Sequence, residues 1–448
     1  MLLLLWPALV NRYPLVFSDS GTYLSQIVER HLGWDRPIFY SLMILPLHLT
    51  LSTWPVIVAQ AATTWWVLVT VLRCFVRDVR PLPAILLVLG AATALPWVTA
   101  QLMPDFATGL LTLLIACLVI TPERLGRRGP WIAALGLTAL ISVHQANLPL
   151  VALLLLVLLP LRRRLGAAQP LGRGGLARAV APLLLATAAM TAVNLIGHGR
   201  LSPSPYGNLF VLARNLVEGP AMDALRSHCP HPGWRLCVLV QEGPPPDTDA
   251  FLWQADSALY REGGPTRISA EADAILRTAL RDEPLRVIGA ALRGAAQQVV
   301  TVRTGDGLNA WPHSVTPVIA RDFPPAEQRR YAAALQTRGA LVVPEWLQAV
   351  HLTVLAIGAA AAPLGLALAL RRRHPVAGLC AAVLVCLIGN AAITGALSGP
   401  HDRYESRVAW LVVFTPLAAA AALRRSAAAP VSQLPGQVQA GAAAPGVS

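Results

Sequence analysis

Residues 375–397 read PVAGLCAAVLVCLIGNAAITGAL, an apolar run without a charged side chain. A helix needs about 20 apolar residues to cross a bilayer, so this run is long enough to span a membrane. Similar runs recur along the chain and predict about ten membrane-spanning helices in an all-α polytopic protein. The predicted spans are residues 1–16, 53–72, 82–100, 106–121, 131–143, 148–161, 179–197, 347–370, 375–397 and 408–423.

The composition of the whole chain favours the same fold class. Of its 448 residues, 55% are hydrophobic and only 13% are charged, which excludes an ordinary soluble protein of this size. The formal net charge of +13 is of the kind seen in nucleic-acid-binding proteins. Here, however, many arginines lie in short loops between apolar runs, where they set membrane topology. We therefore predict membrane lipid, and no nucleic acid, as a partner.

The arginine clusters predict the orientation in the membrane. They follow the second, fourth, sixth, eighth and tenth apolar runs, and the positive-inside rule places them in the cytoplasm. Both termini are then cytoplasmic, whereas the first loop, the region 198–346 and the last loop face the outside. We therefore predict a multi-pass protein of the bacterial inner membrane whose active face is periplasmic.

The pattern of apolar and polar stretches predicts four parts. An N-terminal membrane domain covers 1–197, a polar insertion covers 198–346, C-terminal membrane helices cover 347–425, and a tail covers 426–448. The insertion has helix-like runs and breaks rich in Pro and Gly, but no sustained alternation, so we predict a mainly helical periplasmic domain. The tail is rich in Ala, Pro, Gly and Gln, which predicts a disordered cytoplasmic segment.

The insertion contains two cysteines, Cys229 and Cys237. If the insertion faces an oxidising compartment, these two can pair. We predict a structural disulfide, with redox chemistry as the functional alternative.

Polar groups gather in four loops that the predicted topology brings to one face of the membrane. Ionisable groups at this depth are costly, so they usually have a function or a partner. Their convergence predicts a site, and the prediction requires Asp19 and Arg403 to share one pocket. The candidate residues are Asp19, Asp35, Arg36, Asp105, His144, Gln145, Asn147, His401, Arg403 and Tyr404.

Asp19 lies in the stretch Phe17-Ser-Asp-Ser-Gly-Thr-Tyr-Leu24, directly after the first apolar run. A carboxylate partly shielded from water is a stronger base and a better metal ligand than one in bulk water. Asp19 is therefore a candidate to take a proton from an acceptor hydroxyl or to hold a divalent metal ion. The alternative is that Ser18, Asp19 or Ser20 caps the following helix.

Arg36 and Arg403 are candidates for binding phosphate, because a guanidinium meets a phosphate with two parallel hydrogen bonds. The alternative is that both are membrane-interface arginines, paired with lipid headgroups or with Asp35 and Asp402.

The loop 144–147 lies between two short apolar runs, where polar groups are expected to line a water-filled cavity. His144 is a candidate for binding a sugar hydroxyl or a metal, or for moving a proton, and the alternative is a structural histidine. Asp105 either binds substrate or caps the helix that starts at Phe106.

Four of these stretches resemble the C-type (GT-C fold) membrane glycosyltransferases. The class includes dolichyl-phosphate-mannose protein mannosyltransferases and bacterial lipid A aminoarabinose transferases. The resemblance is carried by Ser18-Asp19-Ser20-Gly21-Thr22-Tyr23, Arg36-Pro37-Ile38-Phe39-Tyr40-Ser41, His144-Gln145-Ala146-Asn147-Leu148-Pro149 and His401-Asp402-Arg403-Tyr404.

The resemblance implies an inverting hexosyl- or pentosyltransferase. Its donor would be a polyprenyl-phosphate-linked sugar, and its acceptor a glycan, lipid or protein at the periplasmic leaflet. In this interpretation Asp19 is the essential acid of the class, and Arg36 and Arg403 contact the donor phosphate. Two other functions fit a chain of this type, namely a lipid or polysaccharide transporter and a non-catalytic envelope assembly protein.

Overall fold

The computed structural model of the chain describes residues 1–231 and 233–428. Within these residues the fold is all-helical, which confirms the predicted class, and strand-like pairing is limited to one bridge between Leu15 and Gln101. Of the predicted tail, 426–428 belong to the last helix, and 429–448 lie outside the described residues.

The N-terminal part consists of apolar helices joined by short loops. A π-turn, Leu72–Val76, extends the fourth helix, and a 3-10 turn, Pro122–Leu125, follows the seventh. These helices are α1 (Leu2–Asn11), α2 (Ser18–Ser25), α3 (Phe39–His48), α4 (Trp54–Val71), α5 (Leu82–Ala92), α6 (Leu95–Thr99), α7 (Phe106–Ile120), α8 (Gly129–Ser142), α9 (Asn147–Leu161) and α10 (Arg173–His198).

The insertion is also helical, and three long helices after it return the chain to the bundle. A 3-10 turn, Arg235–Val238, lies after the second helix of the insertion. The insertion helices are α11 (Gly207–Glu218), α12 (Pro220–His228), α13 (Leu239–Glu242), α14 (Thr248–Trp253), α15 (Ala258–Arg261), α16 (Pro265–Asp282), α17 (Pro284–Val300), α18 (Val315–Asp322) and α19 (Pro325–Ala333). The last three helices are α20 (Glu345–Arg371), α21 (Val376–Leu397) and α22 (Asp402–Ala428).

Each predicted apolar run contains a helix, and within residues 1–231 and 233–428 five segments are long and apolar enough to cross a membrane. They are Trp54–Val76, Arg173–His198, Glu345–Arg371, Val376–Leu397 and Asp402–Arg424. The other predicted runs form helices of 10–17 residues, as does Phe39–His48.

Two predicted runs are shorter in the structure than in the sequence pattern. The first ends at Asn11, because Arg12 adopts a left-handed conformation and Pro14 follows it. The run 82–100 is divided in two by Thr93, which is extended, and a second short helix begins at Leu95. Apolarity alone carries no information about either break.

The buried apolar residues form two clusters. A large cluster joins the membrane helices to α18 and α19, and a smaller one fills the part of the insertion between Tyr206 and Ile275. The end of the insertion therefore packs on the membrane part rather than on the rest of the insertion.

The segment before α2 is fixed by a side chain from the end of the insertion. The Gln336 amide accepts a hydrogen bond from Val16 N at 3.0 Å and donates one to Val16 O at 2.6 Å. Because Gln336 is buried, these bonds are protected from water and hold the chain as it enters the candidate site.

Candidate active site

A cavity of about 740 Å³ lies where the first loop, the insertion and the last loop meet. Clefts of roughly 300–1,000 Å³ are typical of small-molecule sites. Six of the predicted site residues line it, and no other cavity described in the structure brings so many together. They are Asp19, Asp35, Arg36, His401, Arg403 and Tyr404.

Asp19 reaches the cavity because α2 is anchored on both sides. Ser20 Oγ accepts a hydrogen bond from Phe17 N at 2.9 Å and donates one to Leu102 O at 2.8 Å. At Gly21 a Cβ atom would collide with the Ser314 carbonyl, so only glycine allows this approach to α18. Ser20 thus performs the capping role, and the Asp19 side chain is free to face the cavity.

Two guanidinium groups face the Asp19 carboxylate. Arg36 Nε and Nη2 lie 2.9 and 2.8 Å from Asp19 Oδ2, and Arg403 Nη1 lies 3.5 Å from the same oxygen. The prediction that Asp19 and Arg403 share one pocket is therefore confirmed, although 384 positions of chain (403 minus 19) separate them. All three side chains are 11–13% exposed, so the pairs are largely shielded from water.

Arg403 is held by its backbone and by aromatic rings. Its N–H donates to Asp306 Oδ2 at 3.0 Å, and its guanidinium carbon lies 4.0 Å from the centre of the Phe17 ring. Its buried Nη1 lies at ion-pair distance from Asp19 Oδ2 but makes no hydrogen bond to the described residues. An anion in the cavity would supply the acceptor that this nitrogen lacks.

Asp35 completes the charged group. Its Oδ2 lies 3.5 Å from Arg36 Nη1, and its carbonyl accepts a hydrogen bond from Gln145 Nε2 at 3.0 Å. Gln145 also accepts a hydrogen bond from Ser204 Oγ. Gln145 therefore lies outside the cavity and positions Asp35 from behind, where we had predicted substrate contact.

The environment of Asp19 makes it a weaker base than the sequence predicts. Burial raises the pKa of the carboxyl, but Arg36 and Arg403 outweigh burial and lower the pKa from 3.8 to about 2. Burial raises the pKa of Asp35, because Arg36 offsets its burial only in part. The expectation of a strengthened base was wrong for this arrangement because shielding from water brought two cations with it.

The ion pairs of Asp19 make stability depend on pH in the acid range. A folded-state pKa below the ordinary value means that the pairs stabilise the fold fully above about pH 4 and that this contribution is lost as the pH falls towards 2. A shift from 3.8 to about 2 corresponds to roughly 2 kcal/mol. We expect this fall in stability between about pH 4 and pH 2 to be absent in Asp19→Asn, which has no carboxylate to protonate.

Thermal unfolding in a non-ionic detergent at several acid pH values measures the difference between wild type and Asp19→Asn. Asp35 contributes the opposite dependence, and this contribution becomes smaller in Asp19→Asn, because the charge of Asp19 is one of the causes that raise the pKa of Asp35. Parallel pH profiles of the two proteins would show that the pairs of Asp19 do not stabilise the fold.

Asp105 lies behind the cavity, in a buried ion pair. Its Oδ1 lies 2.9 Å from Arg407 Nη1, and the two side chains are 2% and 0% exposed. Its side chain makes no capping hydrogen bond to α7. Asp105 and Arg403 line the same small space of about 20 Å³, so Asp105 contributes negative charge beside Arg403.

His144 and Asn147 do not line the cavity. Burial, together with the charge of Arg407, lowers the pKa of His144 to about 3, so the ring is neutral near pH 7. Its Nδ1 accepts a hydrogen bond from Ala146 N at 3.2 Å. The Asn147 amide joins Leu140 O and Thr108 Oγ1, at 2.9 and 3.1 Å. The structure therefore favours the structural alternative for His144 and places Asn147 in a structural role, where we predicted substrate contact.

His401 and Tyr404 form part of the cavity wall. Two hydrogen bonds join the His401 backbone to the Gln298 amide, at 2.8 and 2.9 Å. The Tyr404 ring centre lies 5.3 Å from the Arg403 guanidinium carbon. Asp402, in contrast, accepts a hydrogen bond from Arg303 N at 2.6 Å and does not pair with Arg403.

The structure adds site residues that we did not predict. Trp253 lies 5.4 Å from the Arg36 guanidinium carbon, and Phe17 lies beneath Arg403. The insertion also contributes acidic and aromatic lining residues, namely Asp247, Asp249, Asp306 and Trp311. The sequence marks Asp306 only by the two glycines that flank it. In the structure both Gly305 and Gly307 have positive φ.

The residues around Asp19 do not fit the predicted divalent metal ion. A metal site needs several oxygen ligands turned to one cation, whereas Asp19 already faces two guanidinium groups. In the described part of the chain, no group of three or more His, Cys, Asp or Glu side chains has metal-binding geometry. Cys229 and Cys237 form the predicted disulfide in the insertion, and neither residue lines the cavity.

The fold and the cavity together define only a class, an all-helical protein with apolar helices of membrane-spanning length and a shielded cleft rich in charge. Comparisons of the chain with protein-family models, with curated proteins and with solved structures give no match.

Proposed function

We propose that the protein is an integral membrane glycosyltransferase that moves a sugar from a polyprenyl-phosphate donor to an acceptor outside the cytoplasm. The observation that carries this proposal is the carboxylate of Asp19 between two guanidinium groups, in a cavity of about 740 Å³ beside membrane-spanning helices. The proposal includes about ten passages through a bacterial inner membrane, cytoplasmic termini and a periplasmic cavity, as the arginine distribution favours.

The two guanidinium groups suit the phosphate of such a donor. The buried Nη1 of Arg403 makes no hydrogen bond to the described residues, and Arg36 contacts the same oxygen of Asp19 that Arg403 faces. Two cations beside the leaving phosphate stabilise the negative charge that develops on it, and this electrostatic effect is usually the largest in such reactions. The aromatic rings of Trp253 and Trp311 suit the apolar face of a sugar, and Asp247 and Asp249 can accept hydrogen bonds from its hydroxyl groups.

The reaction that we propose is a single displacement. The acceptor hydroxyl oxygen forms a bond to the anomeric carbon, and the bond between that carbon and the phosphate oxygen breaks. The electron pair leaves with the phosphate, and Asp19 takes the proton of the acceptor hydroxyl. Attack from the face opposite the phosphate inverts the anomeric configuration.

Phosphate binding would also make Asp19 a better base. As long as both guanidinium groups face Asp19, its pKa of about 2 is too low for efficient proton removal near neutral pH. A phosphate that engages Arg36 and Arg403 takes N–H donors from Asp19 and adds negative charge beside it. Both changes raise the pKa of Asp19, so the base would become active once the donor is bound.

Mass spectrometry of envelope glycans and lipid-linked sugars, with and without the chain, tests the function. We expect cells that lack the chain to lose one glycosylated product and to accumulate a polyprenyl-phosphate sugar. Unchanged glycans and lipid-linked sugars would contradict the proposal. Accumulation of an intact product on the cytoplasmic side would instead indicate a transporter.

Arg403 gives a direct test of the phosphate site. We expect Arg403→Gln to weaken the binding of a polyprenyl phosphate by roughly 10- to 100-fold, because a hydrogen bond to a charged group contributes about 1.5–3 kcal/mol. Arg303→Gln is the matched control, since Arg303 is 61% exposed and does not line the cavity.

Calorimetric titration of both variants in detergent measures the effect. Equal affinities of Arg403→Gln and wild type would contradict the phosphate site, whatever the activity of the variant.

A further inference from the structure

Helix α17 has a buried face and an exposed apolar face on opposite sides. One face is buried and packs against α21, with Ala290, Gly294 and Gln298 at four-residue spacing. The other face is solvent-exposed and has no partner among the described residues. It consists of Leu285, Ile288, Leu292 and Val299, which are 83%, 50%, 65% and 53% exposed.

The spacing places these four side chains in one stripe. At 3.6 residues per turn, positions 285, 288, 292 and 299 share a side of the helix, opposite the buried face. We call these four residues the outer stripe. A continuous apolar surface of this kind marks contact with a membrane or another protein.

A polar edge runs between the two faces. Arg286 Nη1 lies 2.6 Å from Asp223 Oδ2, and Arg293 Nη2 lies 3.0 Å from Glu218 Oε2. Both arginines therefore turn towards the insertion, and they leave the outer stripe free of charge. This division into an apolar side and a basic edge is typical of helices that lie in the membrane interface.

The position of α17 indicates what covers the outer stripe. Its closest approach to α21 is at Gly395, where a Cβ atom would collide with the Gly294 carbonyl. On either side of this crossing α21 exposes Ile388 and Leu397, by 67% and 47%. These residues belong to a helix that is long and apolar enough to cross a membrane. Because α17 packs on this helix beside side chains suited to lipid, a bilayer is the environment that fits its outer stripe.

We propose that α17 is an interfacial helix whose outer stripe lies in the lipid leaflet next to the cavity. The proposal is independent of the reaction proposed above. In this arrangement α17 connects the lipid leaflet to the cavity. Gln298 on the buried face of α17 makes two hydrogen bonds to the backbone of His401. The start of α22, which carries Arg403, is then positioned in part by lipid.

Spin labels on the full-length protein in vesicles of phosphatidylcholine and phosphatidylglycerol test the proposal. Leu292→Cys places a label on the outer stripe, and Gln297→Cys places one on the polar edge of the same helix. The free cysteines described in the structure are all buried, and the other two are joined in a disulfide, so labelling is confined to the new cysteine.

The measurement compares collisions of each label with oxygen, which partitions into lipid, and with a water-soluble nickel complex. We expect the ratio of oxygen to nickel collisions to be several-fold higher at Leu292→Cys than at Gln297→Cys. Equal ratios at the two positions would overturn the proposal, because they would place the outer stripe in water.

Two other outcomes would also overturn it. Dipolar broadening between Leu292→Cys labels that disappears on dilution with unlabelled protein would show that a second copy of the chain covers the outer stripe. A label at this position that is immobile and protected from both reagents would show that another protein covers it.

Discussion

Asp19→Asn is expected to lower the rate of sugar transfer by about 10²- to 10⁴-fold, which is the usual contribution of a positioned general base. Asparagine has almost the same shape and can still accept a hydrogen bond from Arg36. It cannot take the proton of the acceptor hydroxyl, and it deprives Arg36 and Arg403 of the carboxylate that they share. The rate of transfer from a synthetic polyprenyl-phosphate sugar, at saturating donor, measures the effect.

The separation of binding from rate makes this prediction specific. With Asp19 neutral, Arg36 and Arg403 are no longer occupied by a carboxylate, so the phosphate of the donor should bind at least as tightly as in the wild type. A parallel loss of affinity and rate would show instead that the substitution disrupts the cavity.

Asp402→Asn is the matched control. It makes the same chemical change next to Arg403, but Asp402 accepts a hydrogen bond from Arg303 N, and asparagine can accept it too. We expect transfer within about twofold of wild type, because Asp402 does not line the cavity and a substitution of this kind outside a site has a small effect. An active Asp19→Asn enzyme, or an Asp402→Asn enzyme as inactive as Asp19→Asn, would remove Asp19 from the centre of the mechanism.

The proximity of Asp19 and Arg403 could be predicted from the membrane topology alone, which does not depend on the packing of individual side chains. Alternating apolar runs and arginine clusters assign each loop to one face of the membrane, and ends of helices on the same face lie close together in a compact bundle. The same reasoning cannot say which loop residues turn inwards. Asn147 and Asp105 were expected beside the substrate, yet both are buried among the helices.

The residues that the insertion contributes to the cavity could not be predicted, for a different reason. Trp253 and Asp306 lie in segments whose local sequence indicates only helices and turns, and their place in the cavity depends on how the insertion folds back. The pKa of Asp19 is similarly non-local, since it is set by arginines 17 and 384 positions along the chain (36 minus 19 and 403 minus 19). The packing of distant segments determines both the lining of the cavity and the pKa of Asp19, and a short sequence motif does not predict that packing.

Removal of one partner from the buried pair of Asp105 and Arg407 is expected to have the largest effect on stability. Arg407→Leu leaves the Asp105 carboxylate buried and without its cation, which costs about 3–5 kcal/mol. The Asn390 amide oxygen also loses the hydrogen bond that Arg407 Nη2 donates at 2.8 Å. Unfolding by SDS in mixed micelles, followed by tryptophan fluorescence, measures the loss.

The double variant Asp105→Leu/Arg407→Leu separates stability from function. Removing both charges removes the unpaired ion, so we expect most of the stability lost in Arg407→Leu to return. Transfer should not return, because Asp105 also provides negative charge in the small space that it shares with Arg403. A double variant less stable than Arg407→Leu would contradict the buried pair, whereas a stable double variant with full activity would show that Asp105 does not position Arg403.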